Sequence, residues 1–193
     1  MAESISDTHF ATNMAENPLE NLLKTDLINP LWQYACQVYS KEGIEPALIE
    51  LQDRHGADIN LILQALWLAT EGKEWSQTCV SGDYNQWVAE QVIPLRKMRR
   101  NMKITCAQHR ELTKNQAQDK EYAGVMEDFR QQVKVLELKA EQYGLAMLFL
   151  NNKRQTAEKS LENDPALAKS NVLKCAEYLN ISPQALDHFL SLI

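Results

Sequence analysis

An all-α helical bundle is the fold class this chain predicts, with a long antiparallel helical hairpin and a small C-terminal helical hairpin. Three observations predict it. Glycine and proline are scarce, six of each in 193 residues, so long stretches run without a residue that interrupts a helix. Apolar residues recur at three- and four-residue intervals over most of the chain, the spacing of one helix face. One segment, Ile59 to Ala69, is apolar around its whole circumference apart from Asn60 and Gln64, which marks a buried helix.

Taken in order, residues 1–16 are polar and patternless and are expected to form a mobile tail. Asn17 and Pro18 can cap and begin a short helix carrying Leu19, Leu22, Leu23 and Leu27. Asn29 and Pro30 restart the chain, and Leu31, Tyr34, Ala35 and Val38 give the next helix its apolar face before Gly43 closes it. Ile44, Ala47, Leu48 and Leu51 then fall at i, i+3, i+4 and i+7. Gly56 supplies a left-handed corner, and Asp58 is placed to cap the buried central helix.

Beyond a polar connection over residues 72–82, Asp83 can cap a long helix. Its apolar seam reads Val88, Gln91, Leu95, Met98, Met102, Thr105, His109 and Leu112, an imperfect heptad, with a bend expected near Glu90 because Pro94 removes a backbone donor. A polar turn around Lys114 to Lys120 leads to a second long helix, where Tyr122, Met126, Phe129, Val133, Leu136, Ala140, Tyr143, Met147 and Leu150 keep the four-three rhythm. A short polar turn makes the two helices antiparallel neighbours, and the same coiled-coil seam could serve self-association. Residues 151–164 read as an exposed linker. Asp164–Pro165 and Ser182–Pro183 each start a short helix of the C-terminal hairpin, residues 165–193. The helical bundle domain is thus expected over residues 17–150, with the hairpin at 84–150.

The net charge of −6 and a pI near 5.3 argue against nonspecific binding to nucleic acid or anionic lipid by the whole molecule. Cys36, Cys79, Cys106 and Cys175 show no CxxC spacing and suit free buried thiols in a reducing compartment. Neither an export signal nor a membrane span is visible, so a cytoplasmic protein is expected.

Two stretches could bind something. Asp53, His55, Asp58, Asn60 and Gln64 surround the Gly56 corner. Asn60 and Gln64 sit one turn apart on a buried helix and need partners, while Asp53 meets the negative end of its helix dipole. A polar site for a metal, a phosphate-bearing ligand or a basic side chain would use these groups; a hydrogen-bonded corner would use them equally. The second is a basic stripe, Arg96, Arg99, Arg100 and Lys103, which could meet phosphate or an acidic partner or could simply be a solvated face. If it is an interaction surface, reversing charge at Arg96, Arg100 and Lys103 should abolish partner recovery and leave thermal stability unchanged. Cys106 and His109 stand at i and i+3, but two ligands do not make a zinc site, and no metal or other cofactor is expected. The C-terminal segment has the spacing of a helix-turn-helix, yet its second helix carries no Lys or Arg, which disfavours DNA.

NPLWQYACQVY at 29–39, LQDRHGADINLIL at 51–63, and W-x-x-x-x-V-x-P-L-R-x-x-R-R from Trp87 to Arg100 together resemble a proteobacterial family of small uncharacterised helical proteins. The resemblance covers about residues 29–112 and implies a cytoplasmic bacterial helical domain, with no activity attached. A non-enzymatic interaction module, binding another protein or itself, is therefore the leading expectation. A ligand- or metal-binding protein or enzyme built on the Asp53–Gln64 corner is the alternative, and a nucleic-acid regulator ranks third.

Overall fold

A computed structural model describes residues 27–112, 117–154 and 165–193, and among these the regular elements are all helical. The expected tail, the helix begun at Asn17, and most of the expected linker lie outside the described residues.

Local chemistry sets the first three helices. Asn29 accepts a hydrogen bond from the Trp32 amide at 3.0 Å and, with Pro30 in the first turn, opens α1, Pro30–Tyr39. The chain enters α2, Ile44–His55, through Gly43 at φ +79° and leaves it through Gly56 at φ +67°, both left-handed positions that strain any residue with a Cβ. Asp58 caps α3, Ile59–Thr70, by accepting from the Asn60 amide at 3.1 Å. Every residue of α3 from Ile59 to Ala69 is buried, as its apolar circumference predicts. This helix is the axis of the molecule.

The connection after α3 contains a 3-10 turn, Gln77–Cys79, and ends at Ser81. Ser81 rather than Asp83 caps α4, Gly82–Trp87, its Oγ accepting from the Tyr84 amide at 3.2 Å. The helix then widens into a π-helical segment, Val88–Val92, before α5, Ile93–Leu112. Pro94 cannot donate to the carbonyl of Glu90, and the wider turn falls where that bond is missing. The inward face shifts at alternate positions after it, while Leu95, Met102 and His109 of the predicted seam stay half-buried. The predicted inward positions Gln91, Met98 and Thr105 are exposed, and Val92, Arg99 and Cys106, each one residue later, turn inward instead.

α6, Ala117–Arg154, begins inside the stretch expected to be a turn and runs antiparallel to α5, with Arg96 meeting Glu141 and Arg99 meeting Glu137. Val133 and Ala140 are buried as predicted, whereas Phe129 and Leu136 are about half exposed, at 54% and 53%. The inward stripe of α6 instead uses Val133, Glu137, Ala140, Gly144 and Leu148.

α7, Pro165–Tyr178, packs along α3. Asn171, fully buried, accepts from the Trp75 amide at 2.8 Å and donates to the carbonyls of Ala65 and Lys73 at 3.1 and 2.9 Å. A 3-10 turn, Pro183–Leu186, and the short α8, Asp187–Leu190, complete the C-terminal hairpin. Its Val172, Cys175, Ile181, Leu186 and Phe189 join the same core as α3, so the segment read as a would-be recognition helix is docked on the bundle. Among the cysteines, Cys36 departs from expectation: it is exposed because α1 turns that face outward, while Cys79, Cys106 and Cys175 are buried and all four are free.

Candidate functional site

The Gly56 corner brings α2 and α3 together beside the α5/α6 pair, and a cleft of about 520 Å³ opens between them. Its walls are largely apolar, with Ile49, Leu63, Val88, Val92, Leu138 and Leu145, and Trp32 and Tyr39 of α1 stand along one side. Its floor is polar. There Asp58 accepts from the Tyr84 hydroxyl at 2.8 Å through Oδ2 and from the Asn60 amide at 3.1 Å through Oδ1.

α6 is held against this corner through its own backbone. Asn60 Nδ2 donates to the Glu141 carbonyl at 3.0 Å, and Trp87 Nε1 donates to the Ala140 carbonyl at 2.9 Å. Gly144 makes the approach possible: a Cβ there would lie 3.1 Å from Asn60 Nδ2 and 3.2 Å from Tyr84 Cε2. The Trp87 and Tyr143 rings meet beside it in a tilted arrangement, with centroids 4.5 Å apart and planes at 50°.

This close approach places four charged side chains of α5 and α6 in the same cleft as Asp58. Arg96 Nη2 donates to Glu141 Oε1 at 2.7 Å, and Arg96 Nε lies 3.5 Å from Glu137 Oε1, buried and without a hydrogen bond. Glu137 takes both Nε and Nη2 of Arg99, the latter at 3.2 Å, in the fork geometry guanidinium favours. Burial pushes the Asp58 carboxyl above its ordinary value, against the opposing pull of Tyr84 and Arg96. The Glu141 carboxyl is raised for the same first reason, again with Arg96 opposing. The Tyr39 hydroxyl is pushed up to about 12 by burial and then by Glu141 and Glu45, with Arg96 opposing.

Of the residues the sequence put forward, Asp58 and Asn60 line the cleft, joined by Arg96 and Arg99. Gln64 points elsewhere, donating to the Cys79 carbonyl and accepting from Trp75 Nε1, both at 3.1 Å. His55 is exposed outside the cleft, and Asp53 is exposed and paired with Arg100. The basic stripe is therefore not one free face. Arg96 and Arg99 turn inward because the π-helical segment rotates α5, Arg100 reaches α2, and Lys103 remains exposed. Cys106 and His109 do not gather further ligands: among the described residues no group of three His, Cys, Asp or Glu could hold a metal.

Glu137, Glu141, Tyr84 and Gly144 were not legible as site residues. One signal was present. Glu137 and Glu141 are spaced i, i+4 on the second helix, and Arg96 and Arg99 stand at i, i+3 on the first, so antiparallel helices can pair these charges across the seam.

Comparison with known proteins gives one family. Residues 30–148, which include every cleft residue named above, match the family described as "Protein of unknown function (DUF2390)". No curated protein and no solved structure matches the chain.

Proposed function

Because the chain belongs to the DUF2390 family, whose function is unknown, its role has to be read from the cleft, and we propose that it is a non-enzymatic protein that binds a small molecule there. One observation carries this: an open cleft of about 520 Å³ has apolar and aromatic walls and a floor where Asp58, Arg96 and Glu141 converge. Concave, mostly apolar sites with a few placed polar groups are where small ligands bind. Both Asp58 oxygens are engaged by fixed donors, Tyr84 and the Asn60 amide, which suits orienting a ligand more than exchanging protons with one. The four free cysteines suit a cytoplasmic protein, and among the described residues no helix is long and apolar enough to cross a membrane.

Cys36 makes the test simple, because it lines the cleft and is the exposed cysteine of the four. Native mass spectrometry of protein purified gently from its source should show a small bound mass that disappears when Cys36 is blocked with a bulky maleimide. A bound mass that survives the block places the ligand elsewhere and overturns the proposal. So does the absence of any bound mass when extract metabolites also leave the rate of Cys36 labelling unchanged.

A second role, binding another protein or a second copy of the chain, is favoured by a different observation. Phe129, Leu136, Tyr143 and Leu150 recur at seven-residue intervals on α6 and are 54%, 53%, 37% and 47% exposed. An exposed apolar stripe of this length suits a partner helix with the complementary stripe.

A further inference from the structure

We infer that the ligand of the cleft is a small organic cation, an ammonium group carrying an apolar body, with its nitrogen at Asp58 and its body along Ile49, Val88 and Leu138. The inference rests on the small-molecule reading above and adds the class of ligand.

Charge at the floor carries it. Three carboxylates, Asp58, Glu137 and Glu141, face two guanidiniums, Arg96 and Arg99. Glu137 is taken by Arg99 and flanked by Arg96, and Glu141 is taken by Arg96. Asp58 takes its side-chain hydrogen bonds from neutral donors, the Tyr84 hydroxyl and the Asn60 amide, and feels Arg96 only as a neighbour whose guanidinium is held by Glu141 and flanked by Glu137. Glu45 and Lys134, the remaining charged residues of the lining, offset one another, so the cleft as a whole keeps one unmatched negative charge.

The identity of residue 58 points the same way. An asparagine would cap α3 as well as aspartate does, its Oδ1 accepting from the Asn60 amide, while its Nδ2 would donate to the Tyr84 oxygen instead of accepting from the hydroxyl. The second carboxylate oxygen gives the buried Tyr84 hydroxyl its acceptor, but the negative charge itself, half-buried on the cleft floor beside an arginine already held by two glutamates, works against stability. A cation arriving in the cleft would give that charge its partner. The walls suit the remainder of such a molecule: aliphatic side chains for an apolar body, and Trp32 and Tyr39 rings whose faces attract cations. An anion would gain Arg96, but Arg96 is already shared by two carboxylates, and the anion would face Asp58 and Glu141 at close range.

Hexylammonium, hexanol and hexanoate, three probes of one shape and different charge, test this on the full chain. Binding is followed by calorimetry and by slowing of Cys36 labelling. Hexylammonium should bind about tenfold or more tightly than hexanol, and hexanoate more weakly than either. Asp58→Asn, which keeps the cap, should lose that preference and retain hexanol affinity, and its melting curve verifies folding. Hexanoate binding best, three equal affinities, or a hexylammonium preference that survives Asp58→Asn would each overturn the cation assignment while leaving a ligand-binding cleft. Failure of all three probes to slow Cys36 labelling also overturns it; the native-mass experiment then decides the broader reading separately.

Discussion

Removing Glu137 should destabilise this protein far more than removing Asp53, although each is an acidic partner of an α5 arginine. The Glu137 side chain is 7% exposed, and the arginines it serves, Arg96 and Arg99, are 16% and 26% exposed. Breaking a buried ion pair from one side costs about 3–5 kcal/mol, because the remaining charge stays desolvated. Two features reduce that figure here. Arg96 keeps Glu141 at 2.7 Å, and Arg99 can swing its partly exposed guanidinium into water. A loss of about 2–3 kcal/mol for Glu137→Ala is what remains. In a chain of this length each kcal/mol moves the melting temperature by about 2–4 °C, so Tm should fall by about 4–12 °C. The Asp53–Arg100 pair is 50% and 43% exposed, and such pairs contribute less than about 1 kcal/mol. Thermal melts by circular dichroism, checked by urea unfolding, measure both variants, and a double-mutant cycle with Arg99→Ala isolates the pair. Equal losses for Glu137→Ala and Asp53→Ala, or a cycle coupling near zero, would refute the buried network.

Gly144→Ala tests the close approach of α6: the substitution should gain about 1 kcal/mol of helix propensity yet lower Tm, because Asn60 and Tyr84, 3.1 and 3.2 Å from the new Cβ, are anchored by hydrogen bonds. A rise in Tm would mean those side chains yield. The raised Asp58 and Glu141 carboxyls give a pH signature, since the folded state holds their protons more readily than the unfolded state, whose values lie near 3.8 and 4.5. Stability from these groups is therefore greatest where both are protonated and falls as pH rises from those values through the raised ones. Urea titrations across this range should show Asp58→Asn gaining on the native chain as pH rises; a constant gap contradicts the desolvation of Asp58. Asn171→Ala strips a fully buried group of three hydrogen bonds and leaves the Trp75 amide orphaned, for a loss of about 2–4 kcal/mol by urea unfolding. Should the outer stripe of α6 hold a second copy, Phe129→Glu with Leu136→Glu will convert a dimer to a monomer in analytical ultracentrifugation; a native chain already monomeric at high concentration removes self-association.

Helices in this chain announce themselves because their signals are local. Asn29–Pro30, Gly56 and Asp58 act within four residues of where they stand, and the apolar circumference of α3 translates directly into burial. The hairpin was equally visible, its inner face was not. A π-helical segment inserts one residue into the helical phase and leaves no mark in the apolar rhythm, so in a seam counted from Val88 the residues Leu95, Met102 and His109 keep their places while Met98 and Thr105 give way to Arg99 and Cys106. The same insertion hides the site. Counted straight, Arg96 and Arg100 share a solvated stripe; rotated, Arg96 and Arg99 reach the glutamates of α6. Asp58 was legible for its cap, whereas its second partner, Tyr84, lies 26 residues away and is joined only by the fold.

The charges at the α5/α6 contact have work to do that the charge on Asp58 does not share. Well-packed apolar residues in place of a buried ion pair are often as stable or more so, and the best-attested use of such a pair is to fix register. Here Arg96 meets Glu141 and Arg99 meets Glu137. Sliding α6 by one heptad in one direction would set Arg96 against Lys134 and Arg99 against Arg130; sliding it in the other would set them against Leu148 and Gly144. The first alternative juxtaposes like charges, and the second buries cations with no partner, so one register survives. That register is the one in which Gly144 lets Asn60 and Tyr84 approach α6 and the cleft acquires its floor. Arginines and glutamates are thereby accounted for by assembly. Asp58 takes no part in choosing the register; its two oxygens cap α3 and receive the Tyr84 hydroxyl, and the negative charge they carry at the cleft floor is the one that an entering cation would match.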